Sequence, residues 1–311
     1  MLNGRSAISL VVEQLTPATV WLPSYLCGAV VQAVRHHDAR VRFYPVDYNL
    51  RVSAEEWVHQ LAAGDLVLFV DYFGFPIPRE LVLRTRQRGA WVLEDACQAL
   101  LSVEVGNCSD FVVFSPRKFV GVPDGGILRI NSSPGIRDVR LENAPRKWWL
   151  RSLKASELRG EFDRHDGDRR WFDIFQWVER AMPIGRFAMS DLARSLLTQS
   201  IEYGQIAECR INNYRLLADL LRGVALLPEL ADDVVPLGFP IRIRNREQVR
   251  QILFCEHIYP AIHWQIDCLV PAEYHDSHRL ADDILTLPCD QRYNRADMER
   301  MARLVRSAVG L

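Results

Sequence analysis

Short β-rich runs alternate with longer amphipathic segments through the first 130 residues, and no other feature of the chain restricts its architecture as strongly. Residues 19–22, 41–46, 66–70, 90–93, 110–114 and 126–130 are strand-like, whereas 6–15, 25–36, 54–62 and 78–88 between them suit helices. Such alternation predicts a parallel sheet covered by helices on both faces, in which ligands gather at the carboxyl ends of the strands. From 131 to about 175 the alternation gives way to an irregular excursion rich in Trp and Arg, with Trp148, Trp149, Trp171 and the polar run 161–170. A long helical region over 189–221 follows. Beyond it, 238–244 and 261–264 suit strands, and 246–257 and 295–308 suit helices. The expected class is α/β, with a large domain over 1–205 and a small carboxy-terminal α/β domain over 206–311.

Composition narrows the class of partner. Lys plus Arg number 38 against 39 Asp plus Glu, so a net charge of -1 gives no general attraction to nucleic acid or to an anionic membrane. The apolar runs are strand-length rather than membrane-length, and the first residues lack the charged start and apolar stretch of a signal peptide, so a cytoplasmic location is expected. Seven scattered cysteines show no pair at metal-ligand spacing, and neither a disulfide framework nor a metal site is expected.

Three short segments carry chemistry. Glu94-Asp95-Ala96-Cys97-Gln98 follows the apolar run ending at Leu93. A carboxylate at the carboxyl end of a buried strand needs a cationic partner, for which a protonated pyridine nitrogen qualifies; for an isolated Asp a helix cap is the commoner role. Phe114-Ser115-Pro116-Arg117-Lys118 leads into Asp124-Gly125-Gly126, placing a lysine just past a strand and ahead of a glycine pair. A Schiff base needs an amine directed into a cleft, although alone Lys118 reads as a surface lysine. Gly4-Arg5-Ser6-Ala7-Ile8 opens a helix whose free N–H groups suit a phosphate, or simply an N-cap.

In their order along the chain these segments resemble the DegT/DnrJ/EryC1/StrS aminotransferases. Gly4-Arg5-Ser6-Ala7-Ile8 is similar to that family's Gly-Thr-x-Ala-Leu, Val20-Trp21-Leu22-Pro23-Ser24-Tyr25 to its Val-x-x-Pro-Ser-Tyr, and 41–47 to its Val-Phe-x-x-Val-Asp strand. Glu94, Asp95, Ala96 and Gln98 match Glu-Asp-Ala-x-Gln, while Lys118, Asp124, Gly125 and Gly126 match the lysine followed by an acid-Gly-Gly. The resemblance implies the pyridoxal 5'-phosphate (PLP)-dependent transferase fold type I, with a mostly parallel sheet in the large domain. It implies Lys118 as the lysine that carries PLP as an internal aldimine, Asp95 as partner of the pyridine nitrogen and Gln98 beside the ring oxygen. Gly4 and Arg5 would stand at the phosphate, and Ser6 and Ala7 would give it backbone amides. Tyr25 and Cys27 would lie near the ring, and His263 and Trp264 at the substrate mouth. The implied reaction moves an amino group from an amino acid, glutamate by analogy, to a keto-sugar or related polyol that can be nucleotide-linked, in a homodimer with shared sites. Elimination chemistry, or a degenerate regulatory subunit that only binds PLP or sugar, are the other readings.

The chain departs from the family at several positions. The serine five residues before the lysine is Val113, with Ser115 the nearest hydroxyl; the aromatic that covers the ring is Cys27; and the asparagine donated by a second subunit is Arg186. Arg186 reads equally as a phosphate ligand in trans and as an arginine on a dimer rim. The 131–175 excursion reads as a subunit-packing surface or as a contact for an acidic substrate.

Overall fold

The computed structural model describes every residue except Ala54, Glu55, Ser133, Pro134, Gly135, Asp138, Asp166, Ser200 and Leu311. In chain order the described elements are α1 (Gly4–Leu15), β1 (Thr19–Pro23), α2 (Gly28–Arg35), β2 (Arg40–Tyr44), β3 (Leu66–Val70), α3 (Arg79–Gln87), β4 (Trp91–Asp95), β5 (Phe111–Phe114) and β6 (Ile127–Ile130). They continue with α4 (Arg146–His165), α5 (Arg170–Arg180), α6 (Asp191–Gln199), α7 (Tyr203–Leu220), β7 (Phe239–Arg242), α8 (Arg246–Cys255), α9 (His275–Asp283), β8 (Ile284–Leu287) and α10 (Arg295–Val309).

β1 to β6 form one sheet in the order β2-β1-β3-β4-β5-β6, parallel throughout except for the antiparallel pair β5–β6. β3 is buried at all five residues, as its unbroken Leu-Val-Leu-Phe-Val requires of a central parallel strand. β2 at the edge keeps Arg40 and Arg42 exposed, the alternation of a strand with one wet face. Asn3 caps α1 by accepting the Ser6 N–H at 2.8 Å. The residues before that cap are clamped on both sides: Leu2 donates to the Phe187 carbonyl at 2.8 Å, while the N–H groups of Gly125 and Gly126 reach the carbonyls of Leu2 and Met1 at 2.7 and 2.9 Å.

Two apolar clusters dominate. The first fills the large sheet and its helices; the second joins Tyr214, Phe239, Leu253, Leu287 and Met301 around the antiparallel pair β7–β8. Ile266, Val270, Leu280, Ala281 and Ile284 return to the first cluster. α9 is fastened there by Ser277, whose Oγ lies 2.7 Å from Ser24 Oγ and 3.0 Å from the Val46 carbonyl, and by Tyr274, which donates to the Phe43 carbonyl at 2.8 Å.

Four local expectations are corrected. The stretch expected to be irregular holds the helical hairpin α4–α5. α4 buries only Trp148, Ser152 and Ala155, so no apolar stripe announces it; guanidinium faces cover the indoles instead, Arg151 over Trp177 at 4.0 Å and Arg159 over Trp171 at 4.1 Å. The helix expected over 54–62 is one 3-10 turn at Val58–Gln60, its first two positions lying outside the described residues. The region 189–221 divides into α6 and α7. In place of a strand at 261–264 there is a single bridge from Ala261 to Thr286, and the partner of β7 is β8, a four-residue run too short to stand out in the sequence. No helix among the described residues is long and apolar enough to cross a membrane.

Candidate active site

Asp95 is the last residue of β4, and its Oδ1 accepts the Cys97 N–H at 3.1 Å, which holds the carboxylate at the carboxyl edge of the sheet. Val113 of β5 lies opposite Asp95 in the parallel register. Past Phe114 the chain turns at once through the 3-10 segment Pro116–Lys118, where proline fixes φ at the first position. Lys118 thereby returns to the edge that Asp95 occupies. Both line a cavity of about 230 Å³ together with Gly4, Arg5, Cys27 and Ser115.

The lysine's charge is felt by its neighbours. Burial, and then the Lys118 ammonium, hold the His263 imidazole down to about 3, so it is neutral near pH 7. Its Nδ1 lies 2.9 Å from Thr286 Oγ1. Burial, reinforced by Asp95, pushes the Cys97 thiol well up, and a thiol kept protonated does not compete with an amine as nucleophile.

The remaining expected residues stand outside the cavity lining. Ser6 and Ala7 are buried, and their amides are spent on Asn3, Ser6 on the side chain at 2.8 Å and Ala7 on the carbonyl at 3.2 Å. Phosphate would instead meet Gly4 and Arg5, whose amides that cap does not engage. Val113 packs beneath Gly4, where a β-carbon would come within 3.6 Å of its Cγ1. Tyr25 donates to the His263 carbonyl, and its ring lies 5.6 Å from that of Trp264. Gln98 accepts the Phe73 N–H at 2.7 Å through Oε1, whereas its buried Nε2 has no partner among the described residues. Arg186 is bound by its own chain: Nε and Nη2 reach the two carboxylate oxygens of Glu13 at 3.1 and 2.8 Å.

One wall of the cavity escaped the sequence. Phe175 and Glu179 of α5, with Met182 just beyond it, are spaced four and three apart and present one face to the site. Glu179 takes Arg117 Nη2 at 2.6 Å on Oε1 and Arg5 Nη2 at 3.5 Å on Oε2. Asp124, beside the glycine pair, accepts Trp149 Nε1 of α4 at 3.1 Å and the Ser190 N–H at 2.9 Å. The position of Arg117 next to Lys118 was the only available signal for this network.

No protein-family model matches the chain, and no curated protein matches it. Solved structures do. The chain is similar to a DegT DnrJ EryC1 StrS aminotransferase from Brucella abortus, with 18% identity, 100% of this chain and 85% of that chain covered, and a TM-score of 0.69. It is similar to the aminotransferase TlmJ from Streptoalloteichus hindustanus, with 21% identity, 99% and 84% covered, and a TM-score of 0.74. A third is the sugar aminotransferase CalS13 from Micromonospora echinospora, with 14% identity, 98% and 85% covered, and a TM-score of 0.67. The chain thus has the fold of these aminotransferases, the PLP-dependent transferase fold type I, as the ordered segments led us to expect.

Proposed function

We propose that the protein is a PLP-dependent aminotransferase that moves an amino group from an amino acid to a keto-sugar or related polyol. The observation that carries this reading is the convergence of Lys118 and Asp95 on one small cavity at the carboxyl edge of β4 and β5. The donor set fits the cofactor. Lys118 Nζ supplies the amine for covalent attachment and Asp95 an anion for a protonated ring nitrogen. When bound, PLP withdraws electrons from the substrate carbon that gives up its proton. Asp95 keeps the ring nitrogen protonated for that purpose, and Lys118 Nζ, once free, takes the proton and returns it. Glutamate as donor, a sugar acceptor and a homodimeric active unit follow from the likeness to sugar aminotransferases such as CalS13.

The test is borohydride trapping of PLP on one portion of the purified protein, followed by peptide mapping, and addition of an amino-acid panel to a second, unreduced portion. Attachment at Lys118, its loss in Lys118→Ala and conversion of PLP to its amino form by one amino acid are expected. A reducible adduct retained in Lys118→Ala refutes the lysine assignment. An adduct that no amino acid converts refutes transamination and leaves a binding subunit.

A further inference from the structure

We propose that Glu179 is a built-in anion that occupies the Arg5–Arg117 pair and yields it to the phosphate of the incoming cofactor, so that loading is an exchange of one anion for another. This rests on PLP being the cofactor. Two guanidinium groups from different elements, the first turn of α1 and the turn carrying Lys118, converge on one carboxylate inside the cavity, each taking a different oxygen. Their side chains are 16% and 15% exposed, so the pair is largely withdrawn from water and depends on an anion within the cavity. One carboxylate leaves that pair, together with Lys118 and Asp95, with a surplus positive charge, whereas a phosphate monoester brings up to two negative charges and three acceptor oxygens to the same donors. Glu179 is 33% exposed, so it can swing into solvent when displaced. Arg5 is not cast loose by that exchange: its Nη1 also donates to the Glu179 backbone carbonyl at 3.0 Å, a contact independent of the side chain. With Val113 in place of a hydroxyl, and with the amides of Ser6 and Ala7 spent on Asn3, these arginines are the strongest phosphate donors that the cavity retains.

A static bridge that merely ties α5 to α1 and the lysine turn predicts the opposite sign for removal of the carboxylate, which separates the two ideas. Calorimetric titration of PLP and of pyridoxal, which lacks the phosphate, is made into the wild type, Glu179→Gln, Glu179→Ala and Arg117→Gln, with thermal melts to confirm folding. Both Glu179 variants are expected to bind PLP roughly tenfold more tightly, and Arg117→Gln roughly tenfold or more weakly, with pyridoxal affinity unchanged in all. Inorganic phosphate should raise the Tm of Glu179→Gln more than that of the wild type. Unchanged or weakened PLP binding in both Glu179 variants, with PLP still trapped on Lys118, overturns the exchange and leaves the cofactor reading intact. If no variant binds PLP, and phosphate still stabilises Glu179→Gln selectively, the arginine pair is upheld as an anion site and the cofactor reading is what fails.

Discussion

Gly126→Ala is the sharpest test of how the site is held in shape. A β-carbon on Gly126 would lie 2.3 Å from the Asn3 carbonyl carbon, 2.5 Å from its oxygen and 2.8 Å from the Gly4 nitrogen. These are backbone atoms, and no rotamer change relieves them. The Asn3–Gly4 peptide must retreat by about 1 Å to restore ordinary contact, a displacement of the kind that overpacked cores make at a cost of roughly 1–3 kcal/mol. That movement strains the bonds from Gly125 and Gly126 to the carbonyls of Leu2 and Met1, each worth about 1 kcal/mol. Together the loss comes to about 2–4 kcal/mol, or about 3–6 °C in Tm for a chain of this size. Because Gly4 and Arg5 line the cavity, PLP affinity should fall as well. Gly160→Ala in α4, where a β-carbon meets nothing within 4 Å, is the control and should be neutral or stabilising by about 0.5–1 kcal/mol. Differential scanning calorimetry with PLP titration decides the matter. A Gly126→Ala protein that melts with the parent and binds PLP equally well refutes the argument.

His263 gives a pH signature. The unfolded imidazole takes a proton near 6.5 and the folded one only near 3, so protonation favours the unfolded chain; stability is complete above about pH 6.5 and declines as pH falls toward 3. His263→Gln should flatten that part of the acid limb in urea titrations at stepped pH, and an unaltered profile refutes the assignment. Arg186→Ala should leave PLP affinity unchanged, since both of its contacts go to Glu13 of its own chain. A loss of affinity that is restored by mixing with Lys118→Ala chains would place Arg186 in a second copy's site instead.

What the sequence disclosed and what it concealed divide along a physical line. β3 was legible because a buried parallel strand is apolar at every position. Asp95 and Lys118 were singled out only through the resemblance, since each alone reads as a cap and as a surface lysine. α4 was hidden because it buries only Trp148, Ser152 and Ala155 and spends its arginines on the indoles of α5, so its own hydrophobicity does not repeat with the helical period. Glu179 was hidden for another reason: it meets Arg5 across 174 residues, and nothing local records that approach. Ser6 and Ala7 were placed correctly at the start of a helix but assigned amides that Asn3 already takes, a competition that only the folded cap reveals.

The return of α9 to the first apolar cluster bears on how the molecule comes into being. As synthesis proceeds, β1 to β6 can pair once Ile130 has left the ribosome, yet the surface that receives Ile266, Val270, Leu280, Ala281 and Ile284 must wait for about 150 further residues to be made. Throughout that interval Ser24, Phe43 and Val46 lack the partners that Tyr274 and Ser277 later supply. A nascent chain halted after residue 205 therefore holds a formed sheet with an uncovered greasy flank, the kind of surface that chaperones bind and that separately expressed halves would bury against each other.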